Sequence, residues 1–388
     1  MQSSLKPQAA ACSGHSAGVR VSKQAGPVKE PLRSEVIHLH DQPVIQVTIG
    51  SERKTSAACG RGGVGGQQSQ AAGVVQTVVL DTASDVPWVQ CHPSASATDI
   101  TSSSYYDPAR SATYTALACN SAACAELGRL YRGACVNNHC QYRVPIPSSP
   151  ALSSSSGTYV SDLLALAADP ANGALSFKFG CSHAEAKQGE EGSLDNATAG
   201  VMALGGGPES LVSQTAATYG SAFSYCIPAT ESRQTGYARV PTFYRVRLLA
   251  IAVDGQQLNV TPSVFAAGSV LDSRTAITRL PLTAYQTLRE AFRSRMAMYR
   301  EAPPQGNLDT CYDFTGAFLV MVPRIALLFD GNAVVALDRQ GILFHDCLAF
   351  TSNSDDRMPG ILGNVQQQTM EVLYNVGGGS VGFRRGAC

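Results

Sequence analysis

Apolar positions along this chain recur in short runs rather than in long helical stripes. Val44–Ile49, Val75–Leu80, Leu175–Phe179, Phe243–Val253, Val320–Phe329 and Val372–Tyr374 each read as a strand, separated by segments rich in Gly, Pro and Ser. Asp254-Gly255 follows an apolar run and predicts a tight hairpin turn. Helical spacing is scarce. Tyr285, Leu288, Phe292 and Met296 predict a helix over 282–298, and a shorter one is expected over 208–219. Many short strands with few helices predict an all-β protein, mainly β with a few short helices. Residues 1–70 read as a poorly ordered N-terminal tail, because 59–70 is rich in Gly and Gln; the one strand candidate inside it is Val44–Ile49.

Two stretches of the chain look alike. Thr77-Val-Val-Leu-Asp81-Thr-Ala-Ser84 is matched by Gly268-Ser-Val-Leu-Asp272-Ser-Arg-Thr275, with the two aspartates 191 positions apart. Each is followed later by a second matched segment, Val201-Met-Ala-Leu-Gly-Gly and Gly360-Ile-Leu-Gly363. Repetition at this spacing predicts two related lobes, 71–235 and 236–388, each carrying one aspartate. Asp-Thr or Asp-Ser alone is an ordinary turn starter. The matched pair, each behind an apolar strand, points instead to a site.

Two carboxylates brought face to face cannot both ionise cheaply, so they share a proton. One oxygen then serves as a base towards water while the other carboxyl polarises a carbonyl. Neither a metal, nor a cofactor, nor a covalent intermediate is required. Thr82 and Ser273 are expected to hydrogen-bond across the lobe interface. Ser84 and Thr275 are expected to bond the outer carboxylate oxygens.

Composition narrows the partners. Of 388 residues only 15% are charged, and 29 basic side chains balance 29 acidic ones. That argues against bulk-charge binding to nucleic acid or an anionic membrane. No apolar run approaches the ~18 residues of a membrane span. Twelve cysteines without CxxC or HExxH fit an oxidising compartment better than a zinc site. Local bridging among Cys119, Cys124, Cys135 and Cys140 is expected, with the connectivity open. The sequons Asn196-Ala-Thr198 and Asn259-Val-Thr261 are compatible with secretion, although no signal peptide is visible at the start of this chain.

Asp81-Thr-Ala-Ser-Asp-Val-Pro-Trp-Val-Gln-Cys91 resembles the first catalytic segment of plant nepenthesin-type, pepsin-like aspartic endopeptidases, and Leu271-Asp-Ser-Arg-Thr-Ala-Ile-Thr-Arg-Leu-Pro281 resembles the second. Also similar to that family are the segments Tyr105–Tyr114, Phe179–Cys181, Phe223–Cys226, Leu308–Phe314, Ile361–Gln368 and Val381–Phe383. The resemblance runs in order from about 74 to 388. It implies a bilobal pepsin-like fold with an interlobe cleft, Asp81 and Asp272 as the dyad, a polypeptide substrate and a Cys311–Cys347 bridge. It also implies an extracellular or vacuolar location. The protein is expected to be a monomer.

The chain departs from the family pattern at defined places. Asp-Thr-Gly and Asp-Ser-Gly become Asp81-Thr-Ala83 and Asp272-Ser-Arg274. If Arg274 faces the carboxylates, it favours both being ionised and works against the shared proton; if it points away, the dyad is unaffected. In the flap, Ile146 falls where the family has a tyrosine, Trp88 matches that tyrosine's partner, and Tyr142 is a candidate substitute. The cysteine-rich insert usual after Cys91 lacks its further cysteines, leaving the partner of Cys91 open. The stretch between Cys226 and Pro241 is short. The first expectation is an aspartic endopeptidase. The alternative is a catalytically impaired homologue that binds proteins, like the plant xylanase inhibitors of this fold. A poorly folding gene product is the third option. Two other motif matches are set aside as chance: GxGxxG at 60–65, and GxSxG at 378–382, which no histidine follows.

Overall fold

The computed structural model describes residues 37–39, 42–51, 73–91, 105–131, 133–145, 154–166, 174–183, 198–227 and 244–385. Strands dominate, with the three longest helices at Ala122–Tyr131, Leu211–Tyr219 and Leu282–Met296.

One ten-stranded sheet organises the first half of the chain. Its centre is Val74–Asp81, where Val78, Val79 and Leu80 are all buried, so both faces of the strand lie in the core. Gln42–Ile49 pairs antiparallel on one side of it and Gly200–Ala203 pairs parallel on the other. Trp88–Gln90, Leu175–Ser182 and Ser154–Leu166 continue the sheet, and the end of Ser154–Leu166 pairs back onto Gln42–Ile49.

A five-stranded sheet in the second half repeats the inner part of this arrangement. Ser269–Leu271 pairs parallel with Gly360–Leu362 as Val74–Asp81 does with Gly200–Ala203. Gly360 stands opposite Ser269, and Gly200 opposite Val78. Ile361 faces Arg279 across an antiparallel pair, and Val201 faces Trp88 in the same way. The duplication read from the sequence therefore extends to the register, with Trp88 and Arg279 in equivalent places.

A separate three-stranded sheet joins Ala222–Cys226 to Met370–Asn375 and Ser380–Arg385. It ties the segment before 228 to the C-terminal strands. The first lobe as outlined from the sequence thus differs from the strand pairing at both ends. Gln42–Ile49, expected within a tail, is part of the large sheet because Ile45, Val47 and Ile49 alternate into its core. Ala222–Cys226 pairs away from that sheet, with Phe223 stacked on Tyr374 at 4.6 Å.

Three local differences have simple causes. The strand expected over 320–329 is confined to Ile325–Phe329, and Pro323 just before it lacks the N–H a ladder needs. The helix expected over 282–298 ends at Met296, the last buried residue of its stripe. The helix Ala122–Tyr131 had not been expected. Its buried Cys124, Leu127 and Tyr131 keep helical spacing, and the Ser121 hydroxyl accepts the Cys124 N–H at 3.2 Å as a cap. The Asp254-Gly255 turn closes its hairpin with φ of 49° and 81°.

Four disulfides lie among the described residues: Cys91–Cys181, Cys119–Cys135, Cys124–Cys140 and Cys311–Cys347. The last is the bridge implied by the resemblance, and the first supplies the partner left open for Cys91.

Candidate active site

Asp81 closes the central strand of the first sheet, and Asp272 directly follows the equivalent strand of the second. Both are buried, at 1% and 5% exposure. Asp81 Oδ1 accepts the Ala83 N–H at 2.8 Å, and Asp272 Oδ1 accepts the Arg274 N–H at 2.9 Å. The two positions where glycine was replaced therefore still present their amides to the carboxylates. Neither Ala83 nor Arg274 adopts a positive φ, so a side chain is tolerated at both without backbone strain.

Thr82 and Ser273 interlock between the two loops. The Thr82 N–H donates to Ser273 Oγ at 3.2 Å and the Ser273 N–H donates to Thr82 Oγ1 at 3.0 Å. The Thr82 hydroxyl donates to the Leu271 carbonyl at 3.1 Å and the Ser273 hydroxyl to the Leu80 carbonyl at 2.9 Å. Each loop thereby caps the strand that carries the other loop.

The outer carboxylate oxygens are not equivalent. Asp272 Oδ2 accepts the Thr275 hydroxyl at 2.6 Å, as expected from the sequence. Asp81 Oδ2 accepts no hydrogen bond, so the expected Ser84 contact is absent. Ser84 instead closes the loop behind the site, its carbonyl accepting the Gly205 N–H at 2.8 Å. The group facing Asp81 Oδ2 is the Arg274 guanidinium, with Nη1 3.6 Å away. This is ion-pair distance and longer than a hydrogen bond. Of the two orientations left open for Arg274, the side chain takes the one that faces the carboxylates. Burial pushes the Asp81 carboxyl up to about 6 and Asp272 adds to the rise; Arg274 and the Ala83 N–H pull against it.

Trp88 packs in an apolar cluster with Tyr142, Tyr159 and Val201. Tyr142 is buried, and its hydroxyl pairs with Ser155 Oγ at 2.6 Å. Its ring lies flat against Gly180, where an added Cβ would come within 2.3 Å of it, which accounts for the glycine of Phe179-Gly-Cys181. Ile146, the residue aligned with the flap tyrosine, lies outside the described residues, as do 228–243 and the GxGxxG stretch.

Sequence reasoning gave no role to several residues that brace the site. Asp85 is buried and accepts the Gly207 N–H at 2.8 Å, and burial raises its carboxyl above the ordinary range. Beneath Asp272, Asn364 Nδ2 donates to the Ser273 carbonyl at 3.0 Å. Gln367 Nε2 donates to the Leu362 carbonyl at 2.8 Å, and Gln367 in turn accepts the Tyr225 hydroxyl. The available signal was the amide-rich run Asn364–Gln368 directly after an apolar strand and a glycine.

Known proteins resemble this chain over most of its length. The family models described as xylanase inhibitor N-terminal and xylanase inhibitor C-terminal match residues 68–240 and 243–385. An aspartyl protease family protein of Arabidopsis thaliana is 35% identical over 340 residues, covering 80% of this chain and 69% of the relative. The chain belongs to the pepsin-like aspartyl protease family. Nepenthesin-2 of Nepenthes gracilis, an aspartic proteinase, is 28% identical over 341 residues, covering 79% of this chain and 73% of that one. The crystal structure of basic 7S globulin from soybean superposes with a TM-score of 0.62 at 18% identity, covering 88% of this chain and 94% of that one; at this identity it speaks for the fold alone. No helix among the described residues is long and apolar enough to cross a membrane.

Proposed function

We propose that this protein is an aspartic-type endopeptidase in which Asp81 and Asp272 activate water against a peptide bond. The observation that carries the reading is the reciprocal Thr82–Ser273 interlock, which brings two strand-end carboxylates together with their backbone donors in matching places. Asp81, raised to about 6, supplies a carboxyl that keeps the shared proton in acid. The ionised partner takes a proton from water as it attacks, and the protonated carboxyl polarises the scissile carbonyl. Thr275 fixes the plane of the Asp272 carboxylate. In this reading the sheet that carries Asp81 and the sheet that carries Asp272 belong to two lobes around a polypeptide substrate. Trp88 and Arg274 belong to the cleft and flap side in this reading. One chain carries both aspartates, so a monomer suffices. The four disulfides support an extracellular or vacuolar setting.

The test is cleavage of a denatured protein substrate across ~pH 3–7, with and without pepstatin, a transition-state mimic. Acid-peaked, pepstatin-sensitive cleavage is the expected result. Absence of cleavage by folded protein would turn the assignment to a second reading, a catalytically silent pepsin-fold module that binds another protein. The Arg274–Asp81 ion pair favours that reading, because a cation beside the dyad works against the shared proton. The names of the matched family models make xylanases the first partners to try.

A further inference from the structure

Phe223, Tyr225 and Tyr374 of the three-stranded sheet meet Tyr244 in one aromatic cluster. Tyr374 is its centre, with ring centroids 4.6 Å from Phe223, 4.6 Å from Tyr244 and 5.5 Å from Tyr225. The hydroxyls of this cluster lead in opposite directions. The Tyr244 hydroxyl donates to the Leu204 carbonyl at 2.8 Å, and the Leu204 N–H donates to the Asp81 carbonyl at 2.9 Å. The Tyr225 hydroxyl donates to Gln367 Oε1, and Gln367 Nε2 donates to the Leu362 carbonyl at 2.8 Å and to the Asp272 carbonyl at 3.4 Å. One arm thus ends on the main chain of Asp81 and the other on that of Asp272.

The donor directions follow from counting protons. The Gln367 amide turns its N–H groups to two carbonyls, so its oxygen is left for Tyr225. A phenol has one proton to give. Tyr225 gives its own to Gln367, so Tyr374, whose hydroxyl is 2.7 Å away, donates to Tyr225. The next hydroxyl beside Tyr374 is that of Thr82, in the loop of the first aspartate. Tyr225, Tyr374 and Gln367 are all buried, so water does not replace a partner that is lost. The Tyr244 carbonyl also accepts the Leu271 N–H at 3.0 Å, which joins the first arm to the strand before Asp272.

We propose that Tyr225, Tyr244 and Tyr374 are positioning residues, one cluster that sets the spacing of the two carboxylates by holding the main chain of Asp81 through Leu204 and that of Asp272 through Gln367. The inference rests on the endopeptidase reading above. None of the three phenols touches substrate in this scheme. Each acts through the residue it bonds, so its removal shows in turnover rather than in substrate binding.

The experiment is steady-state kinetics at ~pH 4, on a peptide that the wild-type chain cleaves, for Tyr225→Phe, Tyr244→Phe, the double variant and Tyr285→Phe. Each of the first two should lower kcat about tenfold with little change in KM. The double variant should fall by about the same tenfold, because one displaced carboxylate already spoils the pair. Tyr285→Phe is the control. It also removes a buried tyrosine hydroxyl, one bonded to Asp309, but no bond leads from there to either aspartate loop. It should lose stability and keep kcat. Unchanged kcat in both Tyr225→Phe and Tyr244→Phe overturns the inference and leaves the endopeptidase reading standing. So does an equal loss in Tyr285→Phe, since kcat would then follow stability alone. A double variant whose loss is the product of the two singles also overturns it, as the arms would then act separately. If the wild-type chain cuts no peptide, both readings fall. Should the double variant fail to fold, the two singles set against Tyr285→Phe still decide.

Discussion

Arg274 crosses from the loop of one aspartate to the carboxylate of the other, standing 3.6 Å from Asp81 Oδ2 where the sequence reading had placed the Ser84 hydroxyl. A neutral donor there would orient the carboxylate with little change in its proton affinity. A guanidinium does more, because it stabilises the ionised form directly. Asp81 is nonetheless raised to about 6, since burial and the Asp272 charge together outweigh the cation.

Removing the cation should release that opposition. In Arg274→Gly the Asp81 carboxyl gains proton affinity, so the dyad keeps its shared proton to higher pH. The basic limb of the cleavage profile is expected to move up by about one pH unit. A kcat/KM profile of wild type and variant measures this. A limb that stays in place would mean that the arginine does not act on the dyad's proton.

The same carboxyl should be visible in stability. Its folded affinity lies above the ordinary 3.8, so native protein binds the extra proton between about 4 and 6. The contribution is fully present below about 4 and is lost as pH rises through about 6. Asp81→Asn cannot ionise and should flatten this fall. Relative to wild type it should gain roughly 3 kcal/mol between acid and neutral pH. Urea unfolding at the two pH values is the check, and parallel losses in both proteins would contradict it.

The reciprocal interlock predicts coupling. Thr82→Val and Ser273→Ala each leave a buried backbone donor without its hydroxyl acceptor, at about 1–2 kcal/mol apiece. Because each hydroxyl serves the other's loop, the double variant should cost about 1 kcal/mol less than the sum. A double-mutant cycle on unfolding free energies reads this directly, and strict additivity would argue that the two loops do not hold each other.

Much of this site was legible because duplication wrote it twice. Asp81-Thr and Asp272-Ser share their spacing to a preceding apolar strand, and both the crossed hydroxyls and the Thr275 contact followed from residue type alone. The Arg274 direction was not legible, since a long flexible side chain points wherever distant charges draw it. Asn364 and Gln367, quoted only within a family-like segment, were given no role for a different reason. They are buried polar side chains, and hydropathy ranks them as surface. The Gln42–Ile49 strand had the right alternation but was read as part of a tail because of the Gly-rich stretch after it, although its register is fixed by pairing with Val74–Asp81.

The loop behind Asp81 offers the sharpest mechanical test. Gly205 donates its N–H to the Ser84 carbonyl, and Gly207 donates to Asp85 Oδ1. A Cβ at Gly205 would sit 2.2 Å from Asp85 Oδ1 and 2.6 Å from the Ser84 carbonyl oxygen, so backbone as well as side chain must move. Gly205→Ala should therefore cost about 1–3 kcal/mol. Because the displaced segment follows Asp81 within a few residues, kcat should fall about tenfold or more with little change in KM. Gly255→Ala is the contrast. Nothing lies within 4 Å of its Cβ, and only its φ of 81° disfavours the substitution. It should cost about 1 kcal/mol and leave cleavage unchanged, since the turn belongs to a hairpin away from the aspartates. Steady-state kinetics and thermal unfolding of the two variants separate loss of stability from loss of site geometry. Equal effects of both on kcat would show that cleavage follows global stability rather than the seat of Asp81.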